Sequence, residues 1–291
     1  MVAPLDVATL EKYVVPIARD DVDPRDAILY ALGVGAGLSS DLDETDFLFE
    51  RDLQILPTMA LVLGTPGFWA MAPQSGLDWI NILHGEQRLK LFEPLEPGIV
   101  LEGQTRVTAL ADKGPGKPAL IQATKELRTL SGLMVARSSE VWVVRGAGGF
   151  GGDRVLAEDP LPPVPERDPD FEIDLPTSLA QAAIYRLSGD RNPLHIDAAT
   201  ASQAGYDRPI LHGLCTMGLA ARALIHTCCN GVASRLHEIS VRFTGPVFPG
   251  DTIRTHVWQN GRDLHFRCDA IERGVRVIDH GVAAIAAPDT P

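Results

Sequence analysis

The most chemically suggestive segment of the 291-residue chain carries a carboxylate, Asp190, and an imidazole, His195, five positions apart. Gly189 and Pro193 prevent a regular helix between them, and the pair Asn192-Pro193 favours a turn that folds both side chains toward a common point. An Asp and a His that share one water are suited to general acid–base chemistry, in which one group removes a proton and the other supplies one. The amide of Asn192 could hold the water or fix the carboxylate.

The same residues also have a plain structural interpretation. Asp190 and Asn192 could simply cap a turn, and His195 could be a histidine whose hydrogen bonds are satisfied in the interior. For an isolated Asp–His pair this interpretation is the commoner one.

A second candidate feature is Gly213, which follows His212 where a long apolar segment begins. Backbone N–H groups in the first turn of a helix have no partner within the helix, so the N–H of Gly213 could stabilise negative charge on a reacting oxygen. Glycine would also let a substrate approach the backbone closely. A glycine that merely starts a helix is the alternative, and the residues alone leave both open.

The surrounding pattern predicts one buried helix followed by antiparallel strands. Residues 212–227 are rich in Leu, Ala, Gly and Met with almost no charge, as in a helix buried on nearly all sides. From Glu238 onward apolar and polar residues alternate, Asn260-Gly261 is a hairpin signal, and the runs 275–278 and 282–285 complete the strands. One helix held in a curved antiparallel sheet is the layout of a hot-dog domain.

The first half of the chain repeats this layout. Segments recur in the same order at nearly constant spacing, which indicates a duplicated domain. The matching pairs are 28–33 with 183–188, 83–84 with 236–237, and 93–98 with 245–250. The helix candidate of this half starts near Pro57, and its strands are predicted at 99–107, 119–127 and 135–144.

A stretch dense in Gly and Pro, from about Gly146 to Pro169, divides the halves because it cannot continue a helix or a central strand. We therefore predict an N-terminal hot-dog domain over 1–150, a linker over 151–175 and a C-terminal hot-dog domain over 176–291. The fold class is α+β, a double hot-dog in which each antiparallel sheet wraps a long central helix.

Composition limits the class of protein. A net charge of −12 argues against a nucleic-acid partner, and 45% hydrophobic with 22% charged residues is ordinary for a globular chain. No apolar run reaches the roughly 18–20 residues that span a bilayer, and residues 1–20 do not have the pattern of a signal peptide. The last three residues, 289–291, are not a peroxisomal signal. Four cysteines and eight histidines show no metal-binding spacing, so we expect a cytoplasmic protein without a metal.

The full string Tyr-Arg-Leu-Ser-Gly-Asp-Arg-Asn-Pro-Leu-His, residues 185–195, resembles the signature of the hydratase 2 family at every position that defines it. These are the MaoC-like (R)-specific 2-enoyl-CoA hydratases. Further segments resemble the hydratase 2 unit of peroxisomal multifunctional enzyme type 2, so that the resemblance covers nearly the whole chain after residue 25. They are 27–37, 83–87, 112–116, 209–215 and 242–250.

This resemblance implies reversible hydration of trans-2-enoyl-CoA to (3R)-3-hydroxyacyl-CoA, the reaction of a carbon–oxygen lyase. It implies catalytic roles for Asp190, His195 and Asn192, and an oxyanion contact from Gly213. Residues expected to contact the acyl-CoA are His84, Gly85, Lys113, Arg191, Pro193, Leu194 and Phe243. Coenzyme A is part of the substrate, so no cofactor is expected.

The first half has Gly35 at the position equivalent to Asp190, and no Asn-Pro-x-His follows it. Glycine cannot replace a carboxylate in acid–base work, so we predict that the N-terminal domain is catalytically degenerate and accommodates the acyl chain. A homodimer is expected because symmetric pairing would cover exposed strand edges.

Two other activities stay open. One is a hot-dog acyl-CoA thioesterase, which would use the same ligand and the same oxyanion donor. The other is a specialised MaoC-like dehydratase for branched, dicarboxylic or steroid side-chain CoA thioesters, because chain selection depends on pocket shape. A non-enzymatic acyl-CoA binding protein would be expected to have lost Asp190 or His195, and both are present.

Overall fold

A computed structural model of the protein describes residues 3–287. Ten strands form a single antiparallel sheet. The strands are β1 Ala18–Asp21, β2 Ile82–Leu91, β3 Val100–Asp112, β4 Ala119–Thr129, β5 Met134–Val144, β6 Phe171–Pro176, β7 Leu236–Phe243, β8 Thr252–Asn260, β9 Asp263–Ala270 and β10 Val275–Ile285. The α-helices are α1 Val7–Lys12, α2 Pro24–Gly33, α3 Thr45–Leu48, α4 Gln181–Tyr185, α5 Ala198–Gln203 and α6 Gly213–Cys228.

The strand order shows that the two halves are related by an approximate twofold axis. Across the sheet it runs β1-β3-β4-β5-β2-β7-β10-β9-β8-β6, so each half contributes five strands in the same internal order. Strands β2 and β7, the second strands of the two halves, pair antiparallel at the centre of the sheet, where Glu86 lies opposite Arg242. Their side chains form an ion pair of 2.8 Å. The repeated segments of the sequence therefore occupy equivalent places in the two halves: helices for 28–33 and 183–188, the starts of β2 and β7 for 83–84 and 236–237, and the connections that follow these strands for 93–98 and 245–250.

Helix α6 is the central helix of the C-terminal half. It has no side-chain cap at its N-terminus, and it ends where Asn230 and Gly231 adopt the left-handed conformation (φ 55° and 78°) that stops a helix. Twelve of its residues are buried, because apolar side chains surround nearly its whole circumference. The predicted helix at 212–227 is thus confirmed to within one residue. The hairpin predicted at Asn260-Gly261 joins β8 to β9.

The corresponding helix of the N-terminal half is absent, which corrects the expectation of a long central helix in each half. Only a 3-10 helix, Pro57–Leu61, occupies that position. The chain cannot continue as a helix because Gly64 has a φ of 61° and Pro66 follows two residues later. The shortened helix leaves its last carbonyls unpaired.

Lys125, on β4, satisfies those carbonyls. Its ammonium donates to the carbonyl oxygens of Ala60, Leu61 and Leu63 at 3.0, 2.8 and 2.6 Å. Burial lowers the pKa of Lys125 to about 8, although the negative charges of Glu140 and Asp20 act to raise it. A buried cation therefore takes the place of the missing helical turns.

The strands predicted at 99–107, 119–127 and 135–144 are found as β3, β4 and β5. Two predicted boundaries in the rest of the chain differ from the structure. Strand β6 begins at Phe171, inside the range predicted as linker, and pairs with β8 at the edge of the sheet. The two runs predicted at 275–278 and 282–285 are one strand, β10, with an irregularity between Asp279 and Val282. Other short 3-10 helices lie at Trp69–Met71, Pro73–Ser75, Trp79–Asn81, Arg186–Ser188, Pro193–His195 and Ala233–Arg235.

Within residues 3–287, none of the helices has the length and apolar character that crossing a membrane requires. The C-terminal tripeptide considered above, residues 289–291, lies outside the described residues.

Candidate active site

The segment 185–195 folds as two short 3-10 helices joined by a turn. Gly189 ends the first with a φ of 131°, a conformation that favours glycine. The Asp190 carboxylate accepts the N–H of Asn192 at 3.1 Å, and the Asn192 side chain accepts the N–H of Leu194 at 3.0 Å. Asn192 therefore holds the turn, which leaves the carboxylate of Asp190 free on its other side.

His195 is buried, and its tautomer follows from its partner. Ring atom Nδ1 lies 2.8 Å from the carbonyl oxygen of Ile210, and a carbonyl can only accept, so Nδ1 carries the proton. Nε2 is then an acceptor when the ring is neutral. Burial lowers the pKa of His195, although the charge of Asp190 and the hydrogen bond to Ile210 act in the opposite direction. The ring is therefore held in its neutral form, with Nε2 as a hydrogen-bond acceptor.

His212 completes the cluster, and the sequence analysis did not count it among the site residues. Its ring stacks on that of His195 with centroids 3.7 Å apart, and its Nε2 donates to the backbone carbonyl of Asp190 at 3.1 Å. Burial and the neighbouring His195 lower the pKa of His212 well below 6.5, so the ring is neutral. The only sequence signal for this role was its position immediately before Gly213.

Asp190, His195 and His212 present possible ligand atoms within 4.8 Å of one another. The two imidazole planes are inclined by only 29°, and each ring already uses one nitrogen on a backbone carbonyl. The lone pair of a neutral imidazole lies in the ring plane, so the lone pairs of two stacked rings lie in separate, nearly parallel planes and do not converge easily on one ion. This donor set fits a metal poorly.

Gly213 lies beside the cluster as the first residue of α6. Its N–H is one of the unpaired donors at the positive end of the helix. A methyl group added at Gly213 would come within 3.3 Å of the ring of Phe243. The Phe243 ring in turn contacts His84 edge-on, with centroids 5.0 Å apart. Burial lowers the pKa of His84 to about 4, so this imidazole is neutral as well.

A cavity of about 500 Å³ opens at this cluster. Most of the residues predicted as site residues line it: His84, Gly85, Asp190, Asn192, Leu194, His195, Gly213 and Phe243. Lys113, Arg191 and Pro193 are not among its lining residues. The ammonium of Lys113 donates to the carbonyl of Arg154 at 2.6 Å, and Arg191 is exposed. Contacts of these three residues with a substrate stay predictions.

The far wall of the cavity belongs to the N-terminal half, which was expected to accommodate the acyl chain, but its residues were not named from the sequence. Phe68, Trp69 and Trp142 give it an apolar part. Beside them lies a set of polar residues on β2, β3, β4 and β5, namely Gln87, Thr105, Lys125, Ser138 and Glu140. In the sequence these residues sit in strands with alternating character, and their shared position became visible only when the strands paired.

Comparisons with known proteins agree with this architecture. Residues 21–146 match the MFE-2 hydratase 2 N-terminal domain, and residues 161–280 match the MaoC like domain. The 3-hydroxyacyl-thioester dehydratase Y of Mycobacterium tuberculosis is 45% identical over 238 residues, which is 81% of each chain. Peroxisomal multifunctional enzyme type 2 of Drosophila melanogaster is 38% identical over 269 residues, 89% of this chain but only 44% of that protein. A MaoC-like dehydratase from Phytophthora capsici has a TM-score of 0.84 at 33% identity, over 98% of this chain and 100% of its own.

The ten-stranded antiparallel sheet and the similarity to a solved MaoC-like dehydratase place the chain among the MaoC-like proteins of double hot-dog fold. The chain belongs to the hydratase 2 branch of that class, the family of MaoC-like enoyl-CoA hydratases. The resemblance and the double hot-dog fold predicted from the sequence are both confirmed.

Proposed function

We propose that the protein catalyses the reversible hydration of trans-2-enoyl-CoA to (3R)-3-hydroxyacyl-CoA. Membership of the hydratase and dehydratase family supports this activity. The observation that carries it is the placement of Asp190, His195 and the Gly213 N–H around one end of a cavity large enough for an acyl thioester. The pocket thus brings together a base, a proton donor and an oxyanion donor.

The geometry suggests how the water is held. The carboxylate of Asp190 and the free Nε2 of His195 are both acceptors, so one water can donate a hydrogen to each of them. Its lone pair is then available to attack C3 of the enoyl group. As the C3–O bond forms, the π electrons move toward C2 and the thioester oxygen, where the Gly213 N–H stabilises the negative charge.

Proton transfer completes the reaction. The attacking water gives one proton to Asp190 or His195, and the group protonated in this way delivers a proton to C2 on the same face, so that the sum is one water added to one double bond. Dehydration of the hydroxyacyl thioester follows the same steps in reverse. His212 supports the cluster through its ring stack and its hydrogen bond to the backbone of Asp190.

The test is the loss of the enoyl-thioester absorbance when purified protein is mixed with trans-2-enoyl-CoAs of four to sixteen carbons. We expect turnover with an (R) product and a loss of about 100-fold or more in Asp190→Asn, the usual scale for removing an acid–base group. Asp197→Asn is the matched control, because Asp197 is exposed and caps α5 through a side-chain oxygen that Asn retains. Absence of turnover at every chain length would refute the proposal.

The same assay separates the thioesterase alternative. A thioesterase would release free CoA, which a thiol reagent detects, whereas a hydratase leaves the thioester intact. A specialised dehydratase for branched, dicarboxylic or steroid side-chain thioesters would show turnover only with those acyl groups.

The division of labour between the halves is part of the proposal. The cavity extends from the Asp190 cluster to β3, β4 and β5 of the N-terminal half, whose short 3-10 helix leaves room for an acyl chain. Gly35 occupies the position equivalent to Asp190, and the guanidinium of Arg222 approaches to within 3.1 Å of where its Cβ would be. This supports one catalytic site per chain, with the N-terminal half in a binding role.

Homodimer formation and a cytoplasmic location are further parts of the proposal. Among residues 3–287, β1 and β6 each pair on one side only and so form the sheet edges. Pairing of copies would protect such edges. Sedimentation velocity tests the dimer, and fractionation of the source cells tests the location.

A further inference from the structure

We propose that the far wall of the cavity is a subsite for a hydroxyl group, so that the preferred substrates are 2-enoyl thioesters whose acyl chain carries a hydroxyl beyond the reacting carbons. The proposal rests on the hydratase function above and names its substrate class. It concerns Thr105, Ser138 and Glu140, which line the cavity on three strands of the N-terminal half.

Strand register brings these residues side by side. Thr105 lies opposite Lys125, and Lys125 lies opposite Ser138, which makes a row across β3, β4 and β5. In the next row Glu140 lies between Ala123 and Gln87. The result is a compact polar area on the inner face of the sheet.

The polar groups of this area face the cavity and are incompletely hydrogen-bonded to protein. Thr105 and Ser138 are only 8% and 7% exposed, and their hydroxyls have no protein partner among residues 3–287. One carboxylate oxygen of Glu140 accepts the indole N–H of Trp142 at 3.0 Å, and the other has no protein donor within the same described range. Oxygens that line a cavity in this way are available for hydrogen bonds with water or with a ligand.

The equivalent face of the C-terminal half shows what an ordinary interior looks like in this fold. There Ile239, Val241 and Phe266 are fully buried in the apolar core that surrounds α6. A purely hydrocarbon chain against Thr105, Ser138 and Glu140 would strip water from them without replacing its hydrogen bonds, which is unfavourable for each group.

The chemistry of the area favours a hydroxyl over a carboxylate. The three N–H donors of Lys125 are all taken by backbone carbonyls, so the area has no free cation for a carboxylate. A substrate carboxylate would also face Glu140. A hydroxyl can donate to the open oxygen of Glu140 and accept from Ser138 or Thr105. Burial raises the pKa of Glu140 to about 7, with a smaller contribution from the charge of Asp190, so this carboxyl exchanges protons near neutrality.

The experiment compares kcat/KM for pairs of trans-2-enoyl-CoAs of six to twelve carbons, each with and without an ω-hydroxyl, and with an ω-carboxyl as a third member. We expect the hydroxyl to raise kcat/KM about tenfold or more for at least one chain length, as a hydrogen bond to a charged group would. In Ser138→Ala and Glu140→Gln the ratio of hydroxylated to plain substrate should fall toward one.

Ser139→Ala is the matched control, because Ser139 is the next residue on β5 and does not line the cavity. It should keep the wild-type ratio. Equal or better turnover of the plain substrate at every length, or a preference for the ω-carboxyl compound, would overturn the hydroxyl subsite while leaving the hydratase function intact. Failure of all three members at every length would instead refute the proposed function and the subsite with it.

Discussion

The imidazole rings of His195 and His212 stack at a centroid distance of 3.7 Å, and each ring donates one N–H to a backbone carbonyl. The two carbonyls belong to Ile210 and Asp190, so the stack ties the segment that carries the carboxylate to the segment that leads into α6. Stacking also disfavours protonation of both rings at once, since the second charge would lie directly against the first. The pair therefore holds the segment of Asp190 in place, while burial lowers the pKa of His195.

This arrangement predicts how kcat/KM changes at low pH. Burial lowers the pKa of His195 from its usual 6.5, so its Nε2 should stay unprotonated below that pH. We expect kcat/KM for hydration to fall only below about pH 6.5, measured from pH 5 to 9 with the best enoyl-CoA. A midpoint clearly above 6.5 would contradict a buried, neutral His195.

Gly213→Ala tests the close approach at the start of α6. The added methyl group would lie 3.3 Å from the Phe243 ring and would push that ring or the thioester out of place. We expect kcat/KM to fall by about 10- to 100-fold with little change in melting temperature, since small displacements at a reacting centre have effects of that size. Adding Phe243→Leu should recover part of the loss. Full activity in Gly213→Ala would show that the reaction does not depend on the close approach of the thioester to residue 213.

Glu44→Ala tests the ion pair that fastens α6 to the N-terminal half. The carboxylate of Glu44 binds the Arg222 guanidinium at 2.7 and 2.8 Å, and both side chains are 1% exposed. Removing one partner leaves an uncompensated buried charge, so the free energy of unfolding should fall by roughly 3–5 kcal/mol. Asp174→Ala is the control, because its pair with Arg254 is about 40% exposed and should contribute less than about 1 kcal/mol.

The same pair predicts a pH dependence of stability. Burial opposes ionisation of Glu44, but the hydrogen bond from His226 and the charge of Arg222 outweigh it, and the pKa of Glu44 is lowered from 4.5. A lowered pKa means that the stabilisation is complete above about pH 4.5 and is lost as the pH falls through the folded value. Urea unfolding at pH 3 to 7 should therefore show the difference between wild type and Glu44→Ala shrinking at the acid end. A constant difference would show that ionisation of Glu44 is not involved.

Lys125→Met tests the cation that replaces the missing helical turns. Methionine has a similar length but no donor, so the carbonyls of Ala60, Leu61 and Leu63 would lose their shared partner. We expect a loss of roughly 1–3 kcal/mol in unfolding free energy, measured by urea titration. Lys90→Met on β2 is the control, since its ammonium is exposed in a pair with Glu238. Equal effects of the two substitutions would contradict the capping role.

Much of the site could be predicted from the sequence because it is local. Asp190, Asn192 and His195 lie within six residues, and a turn that needs Gly189 and Pro193 brings them together without help from distant segments. The long helix and the alternating strands were likewise visible, since burial on one or all sides leaves a periodic pattern in consecutive residues. The duplication was visible too, because both halves keep their segments in the same order.

Two features could be known only from the tertiary structure, the short helix after Pro57 and the polar area of the cavity, because both depend on residues far apart in the chain. The apolar pattern after Pro57 suggested a helix, but packing of Gly64 against Gly103 and the three bonds from Lys125 end it after one turn. The polar area of Thr105, Ser138 and Glu140 exists only because strand register aligns β3, β4 and β5. These residues are far from Asp190 in the sequence, so the sequence gives no sign that they line the same cavity. Local patterns determine which elements form, whereas pairing between distant elements decides which side chains face one another.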